Sequence, residues 1–269
     1  MRETFGYHLY ACGKDRPPEE IIVGGNKYRF NEVLKHDFFA LTVLYKSHSQ
    51  QQLTELPCPG KVVLKLSRQQ HFLGIPFLWL GKMLCNYEVR NLECLMGISG
   101  TPRLLSRYGK TGFLYEYIEG CSLAEAKKLP DDFFDEFLKL LQQIHKRNMI
   151  YLDMNKRDNI LLGDDNKPHL IDFQISLHIG ENLLISRRFS RCLREKLQKA
   201  DLYHIFKHKR HLCPELLRPE ELGMARAKGG LIQLHRAVAT PLRKLRRGLL
   251  KYLAVKGLMV EENKAYFRN

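Results

Sequence analysis

The chain has 269 residues, 44% hydrophobic and 27% charged, which is enough for one large core or two lobes and excludes a wholly disordered chain. Its seven cysteines, Cys12, Cys58, Cys85, Cys94, Cys121, Cys192 and Cys213, are scattered and form no CxxC pair, which excludes a zinc knuckle and leaves reduced thiols as the expectation. The net charge of +15 is uneven: residues 1–185 carry 23 Lys and Arg against 22 Asp and Glu, and residues 186–269 carry 21 against 7, so the C-terminal third points to an anionic partner.

Met1 is followed by Arg2 and Glu3 rather than an apolar run, so no secretory signal is expected and the location expected is cytoplasmic. Gly24-Gly25-Asn26 is a turn signal. Two apolar runs with strand character follow, Val33-Leu34 and Phe38 to Tyr45. Polar Ser47 to Gln52 and Pro57-Cys58-Pro59-Gly60 separate them from a third, Val62 to Leu66. The greasy stretch from Phe72 to Leu84 is broken by Gly74, Pro76, Gly81 and Lys82 and falls short of the ~20 apolar residues a spanning helix needs.

From Gly81 the period becomes helical, with Tyr87, Leu92 and Leu95 apolar and Gly97 closing the run. Thr101-Pro102 predicts a turn, Leu104-Leu105 an apolar segment after it, and Gly112 to Ile118 a strand. Pro130-Asp131-Asp132 opens a helix on which Phe133, Phe134, Phe137, Leu140, Leu141 and Ile144 share one face. Three short apolar runs follow, at Met149–Leu152, Ile160–Leu162 and His169–Ile171. Beyond residue 186 apolar and basic residues alternate at helical spacing. The fold class expected is α+β. It has a β-rich N-terminal lobe over residues 1–114, a hinge over 115–120 and a mainly helical C-terminal lobe over 121–269.

The chemistry-bearing stretch is Asp153-Met154-Asn155-Lys156-Arg157-Asp158-Asn159-Ile160-Leu161-Leu162, followed by Asp172-Phe173-Gln174. Phosphoryl transfer asks for a carboxylate that orients the attacking hydroxyl, cations against the phosphates, and hard oxygen ligands for Mg²⁺. Asp153 can supply the first, Lys156 and Arg157 the second, Asn159 and Asp172 the third.

These residues resemble the protein-kinase superfamily over residues 28–180. Asp153, Asn159 with its apolar followers, and Asp172-Phe173 resemble the catalytic loop and the metal-binding Asp-Phe-Gly. Val62-Val63-Leu64-Lys65 looks like the strand whose Lys grips the ATP phosphates, and Glu88 like the helix Glu that pairs with it. Phe113 to Gly120 looks like the hinge, with Tyr115 as gatekeeper and the backbone of Glu116 and Ile118 meeting the adenine. The resemblance implies a bilobal kinase-like fold that uses ATP and Mg²⁺ and phosphorylates a hydroxyl acceptor.

The departures are equally specific. Tyr151-Leu152 replaces the family's His-Arg before the catalytic Asp, and Gln174 replaces the Gly of Asp-Phe-Gly. Lys35-His36-Asp37-Phe38-Phe39-Ala40 stands where a Gly-rich phosphate loop belongs. The Asp-to-Asn spacer is about one residue longer than the family's usual four, so Asp158 competes with Asn159 as metal ligand; the Ile160-Leu161 that follows favours Asn159. Together these are similar to the atypical bacterial branch, including the kinases of lipopolysaccharide Kdo and core heptose and chains described as Ser/Thr protein kinases. The acceptor implied is a protein Ser/Thr or a lipid-linked sugar. The basic region from Ser186 onward suits phosphate-bearing acceptors or docking on the inner face of an anionic membrane, with Arg243, Lys244, Arg246 and Arg247 on one leucine-bearing helix. The alternative is a pseudokinase, a nucleotide-binding scaffold on the same fold. Nucleic acid is not an expected partner, because few aromatics stand among the tail's cations.

Overall fold

The structure, a computed structural model, describes residues 10–47, 59–71, 76–180 and 187–226. It is a mixed α+β protein with a curled antiparallel sheet and several helices. Among the described residues the chain divides into two compact units. One takes the chain up to Arg90 together with Arg103–Tyr117; the other takes Asn91–Pro102 and the chain from Ile118 onward.

The first unit is built on a six-stranded antiparallel sheet. Its strands are β1 (Glu20–Val23), β2 (Asn26–His36), β3 (Ala40–Ser47), β4 (Lys61–Ser67), β5 (Leu104–Tyr108) and β6 (Gly112–Glu116), in the order β1-β2-β3-β4-β6-β5. Gly24 and Gly25 both have positive φ, 55° and 83°, which is what a two-residue hairpin turn matching the strand twist requires. The sequence turn at 24–26 therefore joins two strands, and β1 is a strand that sequence patterning did not anticipate. Register shifts at Phe30/Glu32 and Val33/Lys35 are bulges that add twist and curl the sheet.

Strand β4 is buried along nearly its whole length, as expected of a strand with neighbours on both edges and packing on both faces. Tyr28, Leu41, Val43, Tyr45, Val62 and Leu64 form the centre of this unit's core. The strand expected from Phe38 begins instead at Ala40, because Asp37–Phe39 forms the turn. The expected loop segment 48–58 lies outside the described residues.

Helix α1 (Leu78–Cys94) starts three residues before the expected Gly81. A Cβ at Gly81 would lie 1.9 Å from the Arg68 carbonyl oxygen. This glycine serves a close backbone approach inside the helix rather than marking its start.

The second unit carries helices α2 (Phe133–Lys146), α3 (Arg187–Leu212) and α4 (Pro219–Arg226) and five short strands. Strands β7 (Gly120–Ser122), β9 (Ile160–Gly163) and β10 (Pro168–Leu170) form one antiparallel sheet; β8 (Met149–Ile150) and β11 (Leu177–His178) form another. The six apolar residues expected on one face of α2 are all buried. The basic stretch around Arg243–Arg247 lies outside the described residues. No helix among the described residues is long and apolar enough to cross a membrane.

Candidate functional site

Lys65 lies in the middle of β4, opposite Thr42 on β3 and Phe113 on β6. A lysine on a strand ordinarily reaches water, but this one is 6% exposed. Its Nζ donates to Glu88 Oε1 at 2.7 Å, and Glu88, on α1, is 3% exposed. Removing both charges from water costs several kcal/mol per ion, and hydrophobic replacement of such pairs is often neutral or stabilising. Stability alone is therefore a weak reason for the pair.

The segment expected in place of a Gly-rich loop is the β2–β3 turn, and it is locked by its own side chains. Asp37 Oδ1 accepts the N–H groups of Phe39 at 2.8 Å and Ala40 at 3.0 Å, and Asp37 Oδ2 lies 2.9 Å from Lys35 Nζ. Burial alone would raise the Asp37 pKa; the Lys35 charge and these hydrogen bonds together lower it. An aspartate thus occupies N–H groups that an anion-binding turn would offer to phosphate. Arg68, fully buried, stacks 3.8 Å from the Phe38 ring centroid and donates to the Phe38 carbonyl. Sequence reading missed Arg68; a cation directly after the apolar run Val62–Leu66 was its one signal.

In the second unit the catalytic-loop candidates converge. Asp153 Oδ2 accepts Asn159 Nδ2 at 2.9 Å and lies 2.5 Å from Lys156 Nζ. Asn159 is buried in a short 3-10 turn, Arg157–Asn159, whereas Asp158 is exposed. Because a carboxylate only accepts, the amide must turn its nitrogen to Asp153, leaving Asn159 Oδ1 as the oxygen for a cation. Burial raises the Asp153 pKa, and the Asp172 charge adds to this against the opposing Lys156 and Asn159.

Asp172 adopts φ 62°, and Leu152, directly before Asp153, adopts φ 63°. Left-handed backbone is tolerable for Asp but costly for Leu, and such strain persists only where the surroundings over-determine it. For Leu152 the surroundings are Asp201 of α3. Its Oδ2 accepts Tyr151 N–H at 2.9 Å and its Oδ1 accepts Leu152 N–H at 3.0 Å, while His145 Nε2 lies 3.0 Å from Oδ2. On the Asp172 side, the fully buried Phe173 packs edge-on against Tyr151, whose hydroxyl donates to the Ile171 carbonyl. Asn91 of α1 donates to the carbonyls of Phe173 at 2.9 Å and Ser176 at 3.0 Å, and Ile171 N–H reaches the Asn159 carbonyl at 3.0 Å.

Asp201 and Asn91 were not anticipated as positioning residues. For Asp201 the signal was present: with Leu197, Ile205 and His208 it falls at helical spacing on α3, and it is the one carboxylate between Lys196 and Arg210.

One carboxylate and one amide oxygen suit Mg²⁺, which keeps several waters and takes only one or two protein ligands beside substrate phosphates. No cluster of three or more His, Cys, Asp or Glu side chains that could hold a metal occurs among the described residues. At the other expected contact, Glu116 ends β6; its N–H donates to the Arg103 carbonyl at 3.0 Å and its side chain pairs with Arg103 at 2.8 Å. Its backbone carbonyl is thus the group to be considered for adenine. Ile118 follows directly after the unit boundary at Tyr117. In comparisons with known proteins, no family model and no curated protein matches the chain.

Proposed function

We propose that the chain is an ATP-dependent phosphotransferase on a bilobal protein-kinase-like fold, moving the γ-phosphate of Mg-ATP to a hydroxyl acceptor. The observation that carries this is the buried Lys65–Glu88 pair at 2.7 Å on a strand and the following helix, the arrangement kinases require for their phosphate-binding lysine. The Asp153–Asn159 contact supports it from the other unit.

Lys65 takes the nucleotide phosphates, held charged and oriented by Glu88. The Glu116 carbonyl and Ile118 N–H take the adenine. Asp172 and Asn159 hold Mg²⁺, which supplies neutralisation of the phosphate charge. Asp153 orients the acceptor hydroxyl: the acceptor oxygen bonds to the γ-phosphorus, the bond to ADP breaks, and the hydroxyl proton passes to the carboxylate. A pKa raised by burial makes Asp153 a better base than an ordinary aspartate. Lys156, paired to Asp153 with its side chain 55% exposed, adds positive charge beside the transferring group.

The acceptor class proposed is a phosphate-bearing glycolipid sugar or a protein Ser/Thr on an anionic surface. The support is α3, where Arg187, Arg188, Arg191, Lys196 and Lys199 are all exposed and Glu195 is the one carboxylate before Asp201. One specific observation favours the second reading, a nucleotide-binding scaffold: Asp37 fills the N–H groups of the turn that would grip phosphate. Incubation with γ-labelled ATP and Mg²⁺, alone, with a generic protein substrate and with envelope glycolipid, separates the two. A phosphotransferase labels an acceptor or itself, and a scaffold binds nucleotide without turnover.

A further inference from the structure

Helix α3 grips the loop before Asp153 at one end through Asp201, and the same helix reaches it again two turns later. His208, 2% exposed, places Nε2 2.8 Å from the Met154 carbonyl oxygen. A carbonyl can only accept, so Nε2 carries the proton and the buried Nδ1, which has no hydrogen-bond partner, is bare. Burial lowers the His208 pKa to about 4 against the Met154 bond, with the charges of Arg157, Lys207 and His211 adding to the effect. The ring is thus neutral at physiological pH.

The spacing fits a two-point clamp. Seven residues of α-helix, Asp201 to His208, rise about 10.5 Å, and the three residues from Tyr151 to Met154 can span at most about 10–11 Å. The polarity fits as well: an acceptor meets the N–H groups of Tyr151 and Leu152, and a donor meets the C=O of Met154. Asp153 sits between the two grips, next to a leucine in left-handed backbone. Lys207 adds a surface contact to Asn155 Oδ1 at 2.9 Å.

We infer that His208 is a positioning residue that fixes the Asp153 carboxylate by holding the Met154 carbonyl from α3. Its catalytic consequence rests on the proposed phosphotransferase activity; the clamp itself does not.

The test uses the full-length protein with His208→Leu, His208→Gln and His208→Asn, read by amide hydrogen exchange and by kcat and KM for ATP. Gln can bring its amide nitrogen to the place of Nε2, whereas the shorter Asn mimics Nδ1. His208→Leu strands a buried carbonyl, so the amides of residues 151–155 should exchange about tenfold faster while the rest of the fold is unchanged. The kcat should fall by about the same factor with KM for ATP unaltered, and His208→Gln but not His208→Asn should restore both. Unchanged exchange in His208→Leu, exchange raised throughout the molecule, or equal rescue by Asn would overturn the clamp. If the wild type itself turns over no ATP, the phosphotransferase reading fails while the exchange data still decide the clamp.

Discussion

At the scale of single residues, the buried Lys65–Glu88 pair of the first unit holds its two least comfortable charges. Lys65 and Glu88 side chains are 8% and 4% exposed, so removing one partner leaves the other charged in a poor solvent. Glu88→Gln should therefore destabilise the fold by about 3 kcal/mol in urea unfolding, whereas Lys65→Met with Glu88→Leu should come close to wild-type stability. Both proteins should lose ATP turnover. A Glu88→Gln protein as stable as wild type would mean that the pair is hydrated. Sequence order alone placed Lys65, Glu88, Asp153, Asn159 and Asp172 on the chain, because each is tied to a local pattern. It could not show that Lys65 is buried, since burial depends on strands β3 and β6 packing on either side of β4. Nor could it show that Asn159 rather than Asp158 contacts Asp153, because that turns on which side chain the 3-10 turn directs there.

At the scale of elements, α3 carries two roles on two halves. Its C-terminal half is buried and holds the Tyr151–Met154 segment through Asp201 and His208. Its N-terminal half places six cations, from Arg187 to Lys199, at the positive end of the helix dipole, with no acidic residue in the first turn. That arrangement is unfavourable for an isolated helix and suits an anionic surface, which attracts each nearby Lys or Arg by about 1 kcal/mol. Replacing Arg187, Arg188, Arg191 and Lys199 with Gln should reduce co-sedimentation with anionic vesicles, as should raised salt on the wild type. Turnover of ATP in solution should change little. Absence of vesicle binding in the wild type would leave a soluble acceptor as the partner. The sequence read this stretch as basic and helical, and its two halves became distinct only through burial. The short strands β7 and β11 escaped patterning for another reason: two or three residues hold too little periodicity to register.

At the scale of the whole molecule, one half-buried and one buried histidine, His36 and His208, shape the response to acid. His36 accepts the Cys12 N–H at 3.3 Å and His208 donates to Met154, and burial lowers both pKa values from 6.5 to about 4. Between these values the unfolded chain binds more protons than the folded one, so stability is full above pH 6.5 and is lost as pH falls toward 4. Asp153, with its raised pKa, works in the opposite sense, since its ionised form is the costly one. Melting curves from pH 7 to pH 4 should show Tm falling through this window, and His36→Gln with His208→Gln should flatten the fall; an unchanged slope would mean that neither ring is held neutral. The measurement that bears most directly on the proposed chemistry is Mg²⁺-dependent ATP turnover by the wild type and by Asp172→Asn, each checked for an unaltered melting curve. A phosphotransferase that holds its metal through Asp172 should lose at least about a hundredfold in turnover on that change, with folding intact. Equal turnover by the two proteins would contradict the assignment of Asp172, and a wild type that binds Mg-ATP without turning it over would contradict the phosphotransferase itself.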